Sequence, residues 1–195
     1  MGVVNVIFGS MKHYLLSIIL IALVFQSNAQ FDTLFISKKA SAGEDSLIAL
    51  FKRKDWNRYV DYMHPSVVEM VGGKEKFVTT LQQSMTALES AKFDAFKNGR
   101  VLQTTRANGQ YQCVIESFMQ MTLSGVIISG CSYDLAFSTD GESWTFLRID
   151  QTLTPDTIKQ LVPELSPDLK LPKSQFEQGK TLEEFMKTYQ LEYLD

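Results

Sequence analysis

Asn108-Gly109 and Ser124-Gly125 bracket the run Gln110-Tyr111-Gln112-Cys113-Val114-Ile115-Glu116-Ser117-Phe118-Met119-Gln120-Met121-Thr122-Leu123, and the reading of that run decides the fold. It holds no Pro or Gly, it is rich in β-branched and aromatic side chains, and each end carries a dipeptide suited to a two-residue hairpin turn. Working outward, the same period of two predicts strands near 98–106, 110–122, 126–138 and 142–150, with Asp140-Gly141 as a third hairpin turn. Upstream of Phe93 the period changes to 3.6. Leu47, Ile48, Leu50 and Phe51 form one stripe of a helix from Ser46. Asp55 suits an N-cap ahead of Trp56, Tyr59, Val60 and Met63. His64-Pro65 ends that helix, Val67–Val71 reads as a short extended piece, and Gly72-Gly73 as a turn. Phe77, Val78, Leu81, Met85 and Leu88 then mark a helix over 74–90. Helices first and a four-strand antiparallel meander afterwards predict an α+β fold.

Past the meander, Thr154-Pro155 predicts a helix start, Pro163 to Pro172 a surface stretch, and Thr181 with Glu184 a capping box before Phe185 and Tyr189. The domain boundaries that follow are a signal segment over 1–29, a lead-in over 30–43, an α+β domain over 44–152 and a C-terminal extension with short helices over 153–195.

The turn centres also fix a register, because directly paired residues share a face. Val101, Glu116, Tyr133 and Arg148 fall in one row. Gln103, Val114, Leu135 and Phe146 lie beside it, then Gln112, Phe137 and Trp144, with Phe118 opposite Cys131. The other face carries Cys113, Ile115, Ser117, Met119, Asp134, Leu147 and Ile149. The first face has more large aromatics, so it is assigned to the helices. Ser124-Gly125 is the turn most exposed to a one-residue slip.

With 195 residues, 45% hydrophobic, 21% charged and a net charge of −3, the chain fits one domain with a real core rather than a disordered or coiled segment. No basic block exists to neutralise phosphates, which argues against nucleic acid as a partner. Lys12 followed by the apolar run Leu15–Phe25, with Ser27 and Ala29 as small residues, reads as a signal peptide cleaved near Ala29. The apolar run is too short for a membrane span. Met11 offers an alternative start. Removing residues 1–30 takes away Lys12 and no acid, leaving 18 basic against 22 acidic residues, a balance of −4. The expected location is secreted or periplasmic.

Chemistry is sparse. His64 is the one histidine after the signal segment, and a helix-terminal histidine reads first as a cap. One His and two separated Cys do not make a metal site, so no metal and no cofactor is expected. Cys113 and Cys131 fall on opposite faces, which predicts two free, buried thiols rather than a disulfide. Gly72-Gly73-Lys74 lacks the rest of a phosphate loop. No catalytic residue is assigned. The row Glu116, Tyr133, Arg148 reads as a structural ion pair or as a ligand-orienting set.

Lys54-Asp55-Trp56, the segment His64-Pro65-Ser66-Val67-Val68, the strand-turn-strand Leu135–Phe146 and Leu161-Val162-Pro163-Glu164-Leu165 together resemble the nuclear transport factor 2-like superfamily. That superfamily includes the SnoaL-like proteins, and the segments look like an uncharacterised exported bacterial group. The resemblance covers about 44–172. It implies a cone-shaped α+β fold with a pocket between a curved sheet and helices, and homodimerisation through the sheet. It is silent on activity, since the fold hosts many functions. Its isomerase members use a strand carboxylate with a Tyr and an acid, which Glu116 and Tyr133 imitate only in part.

The expected function is therefore an exported, non-catalytic ligand-binding or accessory domain. Its site would be Tyr59, Glu116, Tyr133, Trp144, Phe146 and Arg148, and its ligand a small apolar or carboxylate-bearing molecule anchored by Arg148. The alternatives are a small isomerase, cyclase or hydrolase using Glu116 with His64, and a structural dimer or envelope partner presenting an apolar sheet face around Ile115, Met119 and Leu147.

Overall fold

The computed structural model describes residues 33–194, and the chain divides into two compact units, Met1–Ile36 and Ser37–Asp195. Of the first unit, residues 33–36 are described and are helical. The signal segment and its cleavage point lie outside the described residues. In the second unit residues 37–52 are helical and form α1. No helix among the described residues is long and apolar enough to cross a membrane.

The second unit is α+β: helices come first, then a five-stranded antiparallel sheet. After α1 come α2 (Trp56–Asp61), α3 (Pro65–Val71) and α4 (Lys74–Ala87), then β1 (Lys92–Ala107), β2 (Gln110–Leu123), β3 (Val126–Ser138) and β4 (Thr145–Ile149). α5 (Pro155–Leu161), β5 (Gln175–Gln178) and α6 (Leu182–Thr188) complete it. Residues 67–71, expected to be extended, are helical. Pro65 occupies the first turn, where its fixed φ suits a helix and its missing N–H costs nothing. The His64 side chain accepts from Ser66 N, and Gly72 closes the helix in the left-handed conformation at φ 96°. Two caps thus outweigh the β preference of Val67-Val68.

Asn108-Gly109 and Ser124-Gly125 each place both residues at positive φ, as a tight hairpin turn needs. The β2–β3 register follows without a slip: Glu116 pairs with Tyr133 and Phe118 with Cys131. β1 keeps the expected Gln103–Val114 pairing, but irregularities between Asn98 and Gln103 shift it, so Val101 faces Ile115 instead of Glu116. The third turn departs most. Asp140 Oδ1 accepts from the backbone N–H of Glu142 and Ser143 and from the Ser138 hydroxyl, closing a wider loop over 139–144. β4 therefore slips by one residue. Asp134 pairs with Arg148 and Ala136 with Phe146, while Tyr133 faces Ile149.

This slip redistributes the two faces. One carries Val114, Glu116, Phe118, Cys131, Tyr133, Leu135, Phe137, Leu147 and Ile149. Its aromatic content predicts that the N-terminal helices cover it, but the C-terminal residues do: Ile158, Val162, Leu169, Leu171 and Phe185 share its core. The other carries Cys113, Ile115, Ser117, Asp134, Ala136, Phe146 and Arg148. α1 lies against it, close enough that a Cβ on Gly43 would come within 3.0 Å of Phe146 Cζ. Both Ile115 and Leu147 are buried, on different faces, so the exposed apolar patch expected around them does not exist.

Residues 153–195 belong to the same compact unit as the sheet. β5 pairs with the first half of β3 where β4 pairs with the second half, so the two lie end to end along one edge. The Ser174 hydroxyl donates to Ile149 O at 2.7 Å and stitches that junction. α6 has its capping box, Thr181 with Glu184.

Cys113 and Cys131 are free and buried, on opposite faces. Burial pushes both thiols up to about 11. A thiol reagent at pH 8 should find no reactive cysteine in the native protein and two after unfolding. Rapid native labelling of either would show that a sheet face opens readily.

Candidate functional site

The six residues expected to form one site fall on two faces. Glu116 and Tyr133 point toward the C-terminal residues, whereas Phe146 and Arg148 point toward α1. Tyr59 comes from α2 on the α1 side, and its hydroxyl is pushed up by burial, against the charge of Arg148. Phe146 is buried and stacks on Tyr62 with ring centroids 6.5 Å apart. Trp144 is buried in the loop before β4, beside Gly43. No single cavity gathers the set.

Glu116 is 1% exposed and takes its cation from Arg100, not from Arg148. Its Oε1 accepts from Arg100 Nη2 at 2.8 Å, and its Oε2 accepts from Arg100 Nε at 2.9 Å and Arg100 N at 3.0 Å. The irregular stretch of β1 makes this possible: a Cβ on Gly99 would lie 2.5 Å from Glu116 Cβ, so only glycine lets the strand approach. Tyr189, beyond α6, donates from its hydroxyl to Glu116 Oε1 at 3.2 Å and meets the Tyr133 hydroxyl. Burial alone would raise the Glu116 carboxyl, but the Arg100 hydrogen bonds and charge outweigh it and hold the group below the usual range. An acid held ionised in this way is a weak proton acceptor. The cluster latches the C-terminal residues to the sheet.

His64 is spent as the cap of α3. Its Nδ1 lies 2.7 Å from Ser66 Oγ, its ring packs 4.8 Å from that of Phe137, and Nε2 faces Glu164 Oε1 at 3.7 Å. Burial lowers its pKa, against the pull of Glu164. None of these partners is Glu116, so the expected Glu116–His64 pair is not assembled.

On the α1 side, Arg148 grips Asp134 through one edge of its guanidinium, Nε to Oδ1 at 3.1 Å and Nη2 to Oδ2 at 2.7 Å, and Nη2 also donates to Ser117 Oγ at 3.3 Å. Asp134 is 1% exposed. Against this pair α1 brings Glu44, which is 0% exposed. Glu44 lies ahead of Ser46, where the apolar stripe alone starts the helix, and so falls outside the expected site. The signal was available, since Ala40, Glu44 and Leu47 recur at i, i+4 and i+7, placing an acid inside an apolar stripe. Tyr59 and Arg148 line a cavity of about 10 Å³, room for no more than a single water.

Larger space lies next to it. A groove of about 590 Å³ opens between the ends of α1 and α4 and the start of β1, walled by Phe51, Trp56, Phe93 and Phe96. Phe51 is the hub: its ring centroid sits 5.5 Å from Trp56, 5.4 Å from Phe93 and 5.1 Å from Phe96, in edge-to-face contacts. Lys52, Lys54, Glu89 and Asp94 stand on its rim. Asp94 is paired with Lys92 at 2.8 Å and accepts from Thr122. Lys52 and Lys54 have no ion-pair partner among the described residues. Lys54 holds φ 56°, in the tight break between α1 and α2. Among the described residues no three His, Cys, Asp or Glu side chains gather as a metal site. Compared with known proteins, the chain matches no family model, no curated protein and no solved structure.

Proposed function

We propose that this chain is an exported small-ligand-binding domain and that its site is the aromatic groove of Phe51, Trp56, Phe93 and Phe96. The observation that carries the reading is the groove itself. About 590 Å³ of space walled by four aromatic rings is the size and chemistry that small apolar molecules occupy. Lys52 and Lys54 on its rim favour a ligand that ends in a carboxylate or another anion. This keeps the expected ligand class and moves its anchor from Arg148, which is committed to Asp134, to the two lysines.

The nuclear transport factor 2-like reading and its cone-shaped sheet belong to the same proposal. Support for it is the order of elements, α2 to α4 ahead of a four-strand meander. Homodimerisation through a sheet face has less support, since both faces carry covering elements. Export rests on residues 11–29 alone, and the N-terminal mass of the protein purified from its host tests it.

The binding site is tested with 1-anilinonaphthalene-8-sulfonate, an aromatic anion, in a Trp144→Phe background where Trp56 is the remaining tryptophan. Saturable quenching of Trp56 is expected. Phe93→Ala should weaken binding by about tenfold, roughly 1.4 kcal/mol, and Lys52→Glu with Lys54→Glu should weaken it further at low salt. Quenching that does not saturate, or that ignores Phe93→Ala, would refute this site.

A further inference from the structure

Glu44 is the most anomalous side chain among the described residues. It is a carboxyl with no exposure, and neither oxygen makes a hydrogen bond. The groups that face it come from three strands: Asp134 on β3, Arg148 on β4 and Ser117 on β2. Tyr59, on α2, faces the same Arg148 and Asp134. Arg148 is the one cation of the cluster; one edge of its guanidinium, Nε and Nη2, is engaged by Asp134, Nη2 also reaches Ser117, and no hydrogen bond from it arrives at Glu44. An ionised Glu44 would lie against the Asp134 carboxylate with no hydrogen bond of its own, the arrangement in which two acids share one proton. A neutral Glu44 removes the conflict, because its hydroxyl can donate to Asp134, which is within hydrogen-bond reach.

We propose that Glu44 enters the core as the neutral acid and that its proton, donated to Asp134, latches α1 onto the sheet, so that docking of α1 is favoured by acid and weakened by alkali. Gly43, the residue before it, lets the helix approach Phe146 closely enough for the carboxyl to reach the pair. The latch is independent of any ligand in the aromatic groove.

The sign follows from proton linkage. Burial, then the charge of Asp134, push the folded-state pKa of Glu44 up to about 9, above its ordinary value of 4.5. Between those two values the folded protein holds a proton that the unfolded chain has released. Stability therefore falls with rising pH, by about tenfold in the folding equilibrium per pH unit. His64 acts with the opposite sign, but its pKa is lowered, so its contribution is complete above the unfolded value of 6.5. The two thiols, raised in the fold above an ordinary value of 9, begin to count as the unfolded chain ionises them from about one pH unit below that value. The interval from pH 7 to 8 isolates Glu44.

Guanidinium unfolding of the whole protein across that interval should show the folding equilibrium constant falling about tenfold per pH unit. Glu44→Gln, whose amide can donate to Asp134 without titrating, should flatten that dependence to less than about twofold. Hydrogen exchange of the Leu47–Phe51 amides, corrected for intrinsic rate, should follow the same slope. A flat wild-type profile, or a slope that survives in Glu44→Gln, overturns the proposal. Should the variant fail to fold, the infrared carbonyl band of a neutral carboxylic acid in the wild type at pH 7 decides: its presence supports the latch and its absence refutes it.

Discussion

Asp134→Ala is expected to destabilise the protein by about 3–5 kcal/mol, the usual cost of removing one partner from a buried pair. Asp134 is 1% exposed, whereas Arg148 keeps 35% of its side chain in solvent. The variant leaves a guanidinium under α1 with Ser117 Oγ as its remaining acceptor, and it takes from Glu44 the acceptor for its proton. Equilibrium unfolding in denaturant measures the loss. The paired variant Asp134→Leu with Arg148→Met should recover much of it, because apolar side chains of similar volume often replace a buried ion pair at little cost. A loss below about 1 kcal/mol in Asp134→Ala would mean either that Arg148 swings out to water as in a surface salt bridge or that Glu44 ionises and takes the place of Asp134 beside it, and Glu44→Gln in the same background separates the two.

Gly130→Ala is expected to detach β5 from the edge of β3, at a cost of about 3 kcal/mol, the upper end of the usual range for overpacking. Gly130 pairs with Phe176, and a Cβ there would lie 2.2 Å from Phe176 Cδ1 and 2.5 Å from Gln175 O. A ring can rotate away, but the carbonyl belongs to the backbone of β5, so the strand itself must move. α6 follows β5 directly and brings Phe185 and Tyr189 to the sheet, so part of the Glu116 latch loosens with it. Hydrogen exchange should show the amides of 175–179 losing protection, with β1 to β3 retaining theirs. Unchanged protection at Gly179, which donates to Ile127 O, would show that the strand tolerates the methyl.

Pairing between neighbouring strands was legible where the turn chemistry was purely local. Asn108-Gly109 and Ser124-Gly125 adopt positive φ at both residues, and the strands they join pair as the arithmetic requires beside each turn. Asp140-Gly141 looks the same in sequence, yet Asp140 uses its side chain to organise a longer loop. One extra residue of loop moves Arg148 and Phe146 to the opposite face. That single slip separates the expected site into two clusters. Arg100 was missed for a related reason, since it reaches Glu116 across an irregular strand whose Gly99 breaks the period.

By itself the sequence determined what short-range physics controls: the α+β order, most of the helices, the capping box of α6, two of three hairpins and the two unpaired, buried thiols. Tertiary structure decided which element covers each sheet face, because an alternating pattern says that a face is buried without saying by what. It also decided which charge meets which. Glu44 and Asp134 lie far apart along the chain, and only the docking of α1 on the sheet brings the two carboxyls together beside Arg148. Coulomb and desolvation energies depend on distance and burial, and neither is written in the local sequence.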